Sequence, residues 1–320
     1  MAHIVVTGGC GFLGTWIIRN LLAGGHRVSV LDLERVTKRW ELVLSPAQIE
    51  CIQFMPGRID EPQQVKDIFS QLIPDGVIHL AGLQVPTCRS DPLLGARVNV
   101  LGTLAIFEAA QQLARRPPIV YASSAAVFGS DADYDGKQVN DQSHPLPGTH
   151  YGAFKLCGEH CAKVYFKEKG LCSTGLRPLT VYGPGRDVGM TSFPSRAMAA
   201  ALLGKPLDIP FRGRTTYTFV DEVAQLFVAA VLRPAVGAPC FTVGGDVLDV
   251  PQFIRELERV VPGACELITC SGGDLPIASN LNDQELRAAY PEVARVGIDA
   301  GIQRTVEIFK RLAGEHRLEV

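Results

Sequence analysis

The sequence carries almost no net charge, and this excludes one large class of proteins. Its 320 residues include 31 Lys and Arg against 33 Asp and Glu, for a formal charge of −2. Proteins that hold a phosphate backbone by charge carry a basic excess, so we expect no nucleic-acid partner. Internal repeats and low-complexity tracts are also absent. With 47% hydrophobic and 20% charged residues, the composition is typical of a globular protein and excludes intrinsic disorder.

Long hydrophobic runs are missing as well. A helix needs about 18 apolar residues to cross a bilayer, and the longest apolar stretches, near residues 197–204 and 223–232, are about half as long. The apolar first residues lack the basic region of a signal peptide. Nine cysteines, an odd number spread along a long chain, favour reduced thiols over disulfides. We therefore expect a cytoplasmic protein with no membrane partner.

Short strand patterns alternate with longer helical patterns over the first half of the chain. The patterns predict strands at residues 3–7, 27–32, 51–54, 76–80, 119–122 and 173–177, and helices at 12–23, 62–72, 92–114 and 151–169. This alternation indicates right-handed βαβ units and a parallel sheet that is covered on both faces. The predicted fold class is therefore α/β, with a doubly wound parallel sheet.

The pattern changes after Pro178, where Gly and Pro become frequent and the elements become shorter. We predict helices near residues 194–203, 221–232, 251–261, 283–290 and 300–312, and strands near 216–220 and 240–243. Single cores rarely grow beyond about 250 to 300 residues, so we expect two lobes. Residues 1–178 would form a nucleotide-binding lobe, and residues 179–320 a smaller α/β substrate lobe that is partly interleaved with it.

A glycine-rich turn joins the first predicted strand to the first predicted helix. Gly8, Gly11 and Gly14 are spaced as G-x-x-G-x-x-G, with Phe12 and Leu13 at the start of the helix. Gly8 permits a tight bend, Gly11 lets the backbone approach a pyrophosphate, and Gly14 lets the helix pack closely. The free N–H groups and positive dipole end of the helix would hold the anion. The turn thus predicts a dinucleotide site.

Asp32 ends the second predicted strand, 18 residues after Gly14. A carboxylate at this place bonds the adenosine ribose hydroxyls and repels a 2′-phosphate, so it favours NAD over NADP. Arg35, Lys38 and Arg39 follow closely and are the residues that would weaken this preference, although solvated loop charges are the more ordinary interpretation. The alternative for the whole motif is a tight βα turn with a solvated aspartate.

Later residues extend the same predicted site. After the third strand, Ile59 and Asp60 would face the adenine, and after the fourth, Leu80, Ala81 and Gly82 would line the cofactor with small side chains. His79 precedes them, but a lone histidine is more often structural than catalytic.

Tyr151 and Lys155 are the candidate catalytic pair, because four residues of helix place them on one face. A nearby ammonium and a cationic nicotinamide would lower the pKa of the tyrosine from about 10 towards working pH, so that the phenolate can act as a base. Ser124 lies at the carboxyl end of the fifth predicted strand, the edge at which such sheets bind ligands. It would orient the substrate hydroxyl and stabilise developing oxyanion character.

With these residues in place, the sequence resembles the extended short-chain dehydrogenases/reductases, in the NAD-dependent epimerase/dehydratase branch, over nearly its whole length. The resemblance rests on the glycine turn, Asp32, Asp60, residues 79–82, Asn99, the Ser124/Tyr151/Lys155 triad, residues 176–185 and residues 219–224. It implies a Rossmann-type fold, bound NAD and a homodimer. It also implies that Tyr151 is the general acid/base and that Asn99, Pro178 and Val181 lie at the cofactor.

The sequence departs from the family after Ser124. Dehydratases of this branch place acidic residues there, whereas this chain has Ala125 and Ala126, which cannot move a proton. Water elimination needs a further acid and base, so a dehydratase is disfavoured. The reaction that is still favoured is hydride transfer at a secondary alcohol. We expect Ser124 and Ala125 to lie next to the substrate.

A second departure from the family concerns the binding of a diphosphate. In nucleotide-sugar enzymes of the family an arginine performs this task, and alignment on residues 221–224 puts Thr215 at its place, two residues before Tyr217. Arg214 lies one residue early, which on a strand turns the side chain to the other face. Arg186 and Arg214 are therefore candidate ligands for a different anion, such as a carboxylate.

These features favour an NAD-dependent dehydrogenase that acts on a sugar or sugar acid. The sequence of residues 124–129, which has Phe128 where sugar-nucleotide epimerases usually have Tyr, resembles that of sugar-acid dehydrogenases. A UDP-sugar 4-epimerase with tightly bound NAD and a non-catalytic NAD-binding scaffold are the alternatives. Cys157, His160 and Cys161 share a helix face but lack a fourth ligand, so we expect no metal; that face would pack against the core or a second subunit.

Overall fold

Twelve strands and thirteen α-helices follow one another in this computed structural model, which describes all 320 residues. The strands are β1 (His3–Thr7), β2 (Arg27–Asp32), β3 (Gln53–Pro56), β4 (Gly76–His79), β5 (Ile119–Ala122), β6 (Ser173–Arg177), β7 (Thr180–Tyr182), β8 (Leu207–Ile209), β9 (Arg214–Phe219), β10 (Cys240–Thr242), β11 (Asp246–Asp249) and β12 (Ile268–Cys270). The helices are α1 (Phe12–Ala23), α2 (Pro46–Glu50), α3 (Pro62–Leu72), α4 (Val85–Ser90), α5 (Pro92–Ala96), α6 (Gly102–Gln112), α7 (His150–Lys169), α8 (Phe193–Leu202), α9 (Val220–Leu232), α10 (Val250–Val260), α11 (Ala264–Leu267), α12 (Gln284–Ala289) and α13 (Ile298–Gly314).

Seven strands form one parallel sheet in the order β10-β6-β5-β4-β1-β2-β3. The predicted doubly wound α/β fold is confirmed. Strand β1 lies between β2 and β4, so the direction of winding changes at this point. In open α/β sheets, ligands bind in the crevice at the carboxyl ends of the strands beside such a change. The glycine turn follows β1 and therefore lies in this crevice.

The strand residues explain why helices cover both faces of the large sheet. All five residues of β1 are buried. Ile4 and Val6 belong to one hydrophobic cluster and Val5 to the other, as the two-residue period of a strand requires. Helices α1 and α9 pack together on one face, and α3 and α6 on the other. A parallel strand with two buried faces needs this continuous run of apolar residues.

The second half of the chain contributes to both layers of the protein. Strands β11, β9 and β7 form a small mixed sheet, and β12 pairs with β8. Strand β10, however, pairs with β6 in the large sheet, and α9 packs on α1. Residues after Pro178 thus belong partly to the large sheet and its helices and partly to the small sheets, and the division into two lobes stays a prediction.

The observed elements differ from the predicted ones mainly where they are short. Strand β3 begins two residues later than predicted because Ser45 and Gln48 form a capping box that starts helix α2, which ends at Glu50 with Cys51 as its C-cap. The predicted helix 92–114 contains a π-helical turn, Arg97–Leu101. The short elements β7, β8, β11 and β12 were not predicted, since three or four residues carry little periodicity.

One helical segment, Pro92–Gln112, has the length and mean hydropathy, 1.4, that a membrane span needs. Length and composition are the only features that it shares with such a span. Half of its 18-residue window is buried inside the protein, and α6 packs against α3 and α7. The sequence contains no uninterrupted apolar run here, because Arg97, Asn99 and Glu108 divide the segment.

Candidate active site

The glycine turn approaches the end of β4 so closely that no side chain fits at Gly8. This residue has φ +69°, and a Cβ there would lie 2.7 Å from the nitrogen of Ala81 and 2.9 Å from its Cα. Gly8 also donates its N–H to Leu31 at 2.9 Å. The turn therefore joins the ends of β1, β2 and β4.

The other two glycines of the turn have different surroundings. At Gly14 a Cβ would meet backbone atoms of Gly9 and Gly8 within 2.9 Å, so the absence of a side chain lets α1 pack on the turn. At Gly11 the one close atom is the oxygen of Gly8, 3.1 Å away. Gly11 precedes α1, and no side chain caps this helix. Its first N–H groups thus face the crevice beside a backbone that a ligand can approach.

Asp32 is held at the turn by backbone bonds. Its carboxylate accepts from the N–H of Cys10 at 3.0 Å and from the N–H of Leu33 at 2.8 Å. The three nearby cations bond other partners: Arg35 donates to Ile49 O, Lys38 pairs with Glu319, and Arg39 pairs with Asp187. They leave Asp32 as the charge at the end of β2, which is the arrangement that favours an unphosphorylated ribose.

The two residues predicted to face the adenine are both buried. Ile59 lies in the core, where its side chain fills the space beside Gly102, and its contact with an adenine stays a prediction. Asp60 is also buried, and it accepts from Arg58 at 2.9 Å and from Arg97 at 2.7 Å. Burial raises the pKa of Asp60, but the bonds from Arg58 and the charges of both arginines outweigh it and lower the pKa.

Residues 80–82 form the wall of the crevice beside Asn99. A Cβ at Gly82 would lie 2.6 Å from Asn99 Oδ1 and 3.4 Å from Lys155 Nζ. Asn99 also bonds both backbone groups of Leu83, accepting at 2.9 Å and donating at 3.0 Å. Asn99 therefore positions the loop after β4 against the catalytic lysine.

His79 is structural in this fold. Its ring lies between the hydroxyls of Thr7 and Thr103, at 2.7 and 3.1 Å. Burial and then the charge of Lys155 lower the pKa of His79 to about 3. The ring is therefore neutral at working pH.

Ser124, Tyr151 and Lys155 meet at the end of β5. The Ser124 side chain lies next to the Tyr151 hydroxyl and lowers its pKa, and Ser124 Oγ accepts from Ala126 N at 3.1 Å. Lys155 Nζ donates to Ala122 O at 2.8 Å and lies 5.6 Å from the centre of the Tyr151 ring. Thr149 caps α7 by accepting from Gly152 N at 3.1 Å, which starts the helix directly before Tyr151.

The charges around the triad differ from the sequence expectation in one respect. Burial raises the pKa of Tyr151, while the bond from Ser124 and the charge of Arg186 act in the opposite direction. Burial lowers the pKa of Lys155 to about 8. Arg186 is thus the cation that tunes the ligand-free tyrosine, a role that the sequence had assigned to Lys155.

Arg186 enters the crevice between Tyr151 and Phe12. Its guanidinium lies 5.6 Å from the centre of the Phe12 ring, and one nitrogen donates to Thr191 Oγ1 at 2.9 Å. Its Nε is buried without a hydrogen-bond partner. No carboxylate lies within salt-bridge distance of Arg186, since Asp187 pairs with Arg39. The site therefore contains a cation that can accept an anionic ligand.

Three other predicted ligand residues have different surroundings. Val181 on β7 is buried in the hydrophobic core, and its place at the cofactor stays a prediction. Pro178 accepts from Ala125 N at 3.0 Å, which places its carbonyl beside the catalytic loop. Arg214 is exposed on the rim of a separate cavity of about 510 Å³, which Arg212 and Arg255 also line. No member of the triad lines that cavity.

Thr215 is buried, and its hydroxyl bonds that of Thr180 at 2.7 Å. The position at which the family arginine would project thus holds a small, hydrogen-bonded side chain. Beside the start of α7 there is a second cavity of about 440 Å³, lined by Val85, Arg89 and His150 among others. Its volume is typical of small-molecule sites.

The residues present fit NAD. The open side of Gly11 and the uncapped start of α1 suit a pyrophosphate, Asp32 suits a ribose diol, and Lys155 lies where a second ribose would reach the triad. A metal is not indicated, since no three His, Cys, Asp or Glu side chains come together in a suitable arrangement.

Sequence reasoning missed several residues around the triad. Cys88 is buried beside Lys155 and accepts from Asn99 Nδ2 at 3.2 Å. Glu159 and Arg177 form a buried ion pair beneath the catalytic strand. The spacing of Glu159, one helical turn after Lys155, was the one signal available in the sequence.

Comparison with known proteins identifies the family to which the chain is similar. Residues 4–244 match the family described as the NAD dependent epimerase/dehydratase family. A UDP-glucose 4-epimerase of Mycolicibacterium smegmatis is 31% identical, over 96% of this chain and 98% of its own length. Among solved structures, the UDP-glucose 4-epimerase of Thermus thermophilus in complex with NAD is 26% identical, with a TM-score of 0.82 over 96% of this chain and 99% of that one.

The fold is also that of the UDP-glucose 4-epimerase of Thermotoga maritima with UDP-glucose, which is 22% identical with a TM-score of 0.83 over 97% of this chain and 99% of that one. The match over three quarters of the chain, the relative that aligns from end to end and the glycine crevice all lead to one assignment. The chain belongs to the NAD-dependent epimerase/dehydratase family, and it is an NAD-dependent enzyme.

Proposed function

We propose that the protein catalyses hydride transfer at a secondary alcohol of a sugar or sugar acid. One observation carries this proposal: Ser124, Tyr151 and Lys155 meet at the cofactor crevice, and Arg186 lies beside Tyr151 with no carboxylate partner. A cation without a counterion next to the base suits a substrate whose anionic group lies near the reacting carbon.

In the oxidising direction, Tyr151 removes the proton of the substrate hydroxyl, and Ser124 holds that oxygen by a hydrogen bond. Arg186 favours the phenolate by charge, and Lys155 would hold a ribose hydroxyl of the cofactor. When bound, NAD supplies the acceptor for the hydride. In the reducing direction, Tyr151 returns the proton to the carbonyl oxygen. Ala125 and Ala126 offer no further acid or base, so the residues support no elimination of water.

Two features support a substrate without a diphosphate. Thr215 occupies the position of the diphosphate-binding arginine and is bonded to Thr180. Arg214, one residue earlier, lies on the rim of a different cavity. In this proposal Arg186 binds a carboxylate of the sugar itself.

The test supplies excess NAD+ and a panel of sugar acids and neutral sugars, and follows the absorbance of NADH. We expect turnover with acids, and a KM for the acid that rises about 10- to 100-fold in Arg186→Met, the size of one charge-assisted bond. Arg214→Met is the matched comparison. If Arg214→Met raises the KM and Arg186→Met does not, the anion site lies in the other cavity.

A UDP-hexose 4-epimerase is the second candidate, and the 31% identical relative of that activity supports it. Such an enzyme regenerates its NAD in each cycle, so the purified protein would retain bound NAD and interconvert UDP-glucose and UDP-galactose. Interconversion of the UDP-sugars without turnover of any sugar acid would replace our first proposal by this one.

We further propose a homodimer that forms through α6 and α7. Val164 on α7 is 50% exposed and Leu101 is 41% exposed, although both are large apolar residues. Cys157 and Cys161 share the helix face of Val164 and are partly buried. We expect Val164→Glu to give a monomer in sedimentation experiments. Val236→Glu, in an exposed loop elsewhere, is the control and should leave the dimer intact.

A cytoplasmic location stays a prediction. All nine cysteines are free, and reduced thiols suit that compartment. Fractionation of cells that produce the protein at its natural level would test it.

A further inference from the structure

Three buried polar residues form a cluster directly beneath the catalytic strand end. Glu159 lies on α7, one helical turn after Lys155, and is 1% exposed. Arg177 ends β6 and Ser123 follows β5, with 4% and 2% exposed. None of the three contacts the crevice groups described above, and the proposed reaction uses none of them.

The cluster is joined by three short bonds to one carboxylate. Glu159 Oε1 accepts from Ser123 Oγ at 2.5 Å and from Arg177 Nε at 2.7 Å, and Oε2 accepts from Arg177 Nη2 at 2.6 Å. Burial would raise the pKa of Glu159, but the bonds and charge of Arg177, together with the bond from Ser123, lower it. The carboxylate is therefore ionised, and its charge is matched by that of Arg177.

Each residue from 122 to 125, at the end of β5 and just after it, has a contact from a distant segment. Ser123 donates to Glu159, and its neighbour Ser124 lies next to Tyr151. Two further bonds run from Lys155 Nζ to Ala122 O at 2.8 Å and from Ala125 N to Pro178 O at 3.0 Å. Three of these four contacts come from one face of α7, and the fourth comes from the residue after Arg177.

A buried ion pair contributes little net stability, because the cost of removing two charges from water offsets their attraction. The ion pair instead contributes directional hydrogen bonds, which two apolar side chains cannot make. Here those bonds link α7, β5 and β6 at the point where Ser124 must meet Tyr151. A shift of about 1 Å in such a contact is enough to reduce a rate about 100-fold.

We propose that Glu159 and Arg177 are positioning residues that hold Ser123, and through it Ser124, in place next to the Tyr151 hydroxyl. This inference deepens the proposed function, since it rests on the catalytic role of the triad. It predicts that loss of either partner separates Ser124 from Tyr151.

The test compares Glu159→Gln with Arg177→Gln. These variants leave buried charges of opposite sign, so a purely electrostatic influence would shift the pKa of Tyr151 in opposite directions. A positioning role shifts the pKa of Tyr151 upward in both variants, because Ser124, which lowers this pKa, moves away from the hydroxyl. The other groups that face Tyr151 are Arg186, Cys88 and Lys155, and all three are unchanged in both variants.

The measurements are the pH profile of kcat/KM for oxidation, kcat and KM, NAD affinity, and crystal structures of both variants. We expect the rising limb of the profile to move to higher pH in both, because oxidation needs the phenolate. We expect kcat to fall about 10- to 100-fold with KM and NAD affinity nearly unchanged. Ser123→Ala adds no buried charge and should show the same changes at smaller size, which keeps the test decisive if a charge variant fails to fold.

Glu168→Gln is the matched control, since Glu168 is exposed on the same helix. It should leave every readout unchanged. Opposite shifts of the limb in the two charge variants, or a lower melting temperature with unchanged kcat and profile, would overturn the inference. If the wild type oxidises no sugar-type substrate, the proposed function fails. The Ser124 to Tyr151 distance in the crystal structures still decides the positioning role, because an unchanged distance in both variants refutes it.

Discussion

Replacement of Gly8 by alanine should destabilise the protein far more than the same change at Gly136. The two residues have nearly the same backbone conformation, φ +69° and φ +68°. A non-glycine residue in this region costs about 1–2 kcal/mol, and that cost applies at both positions. They differ in their surroundings, because a Cβ at Gly136 has no atom within 4 Å, whereas one at Gly8 would lie 2.7 Å from the backbone nitrogen of Ala81.

The contact at Gly8 is with backbone, so it cannot be relieved by rotation of a side chain. Overpacking of this kind costs about 1–3 kcal/mol more, which brings the expected loss to about 2–5 kcal/mol for Gly8→Ala. For Gly136→Ala we expect about 1–2 kcal/mol. The free energy of unfolding in urea measures both, and NAD titration should show weaker binding for Gly8→Ala alone. Equal losses in the two variants would refute the close approach of the turn to β4.

Three further predictions concern the crevice. Tyr151→Phe should reduce turnover about 100- to 10,000-fold and leave NAD affinity nearly unchanged; retained turnover would exclude Tyr151 as the acid/base. Asp32→Asn keeps an acceptor for Cys10 N but loses the charge, so the ratio of NADP to NAD affinity should rise about tenfold, and an unchanged ratio would exclude Asp32 as the selector. The pKa of Lys155 is lowered from 10.5 to about 8, so between these values the unfolded chain binds the extra proton, and unfolding free energy should rise with pH. Lys155→Met should lose this slope in urea unfolding, and equal slopes would show that the pKa of Lys155 is not lowered.

Elements with strong local signals were predicted closely from the sequence. Strands β1 and β2 and helices α1 and α3 begin and end where the patterns predicted, because long runs of one periodicity leave little choice of boundary. Strand β3 begins later than predicted, because the capping box at Ser45 starts a five-residue helix that periodicity does not reveal. The glycine turn was predictable because its spacing reports local backbone geometry.

The surroundings of the triad were not predictable in the same way. The sequence placed Tyr151 and Lys155 on one face of a helix, and the structure adds that Arg186, 31 residues after Lys155, approaches the same hydroxyl. Nothing in the local pattern distinguishes Arg186 from Arg214. One enters the crevice beside Phe12, and the other lies on the rim of a separate cavity.

The sequence by itself determined the sheet, the turn and the identity of the chemical groups, because these depend on periodicity, on glycine at special backbone positions and on residue type. Only the tertiary structure decided how these groups interact. Ile59 and Val181 are buried in the core, because the burial of a side chain depends on which distant segments pack against it. Glu159, Arg177 and Ser123 meet because α7, β6 and β5 are adjacent in the fold. Contacts between distant segments are a property of the folded chain, and the pKa values of the triad follow from them.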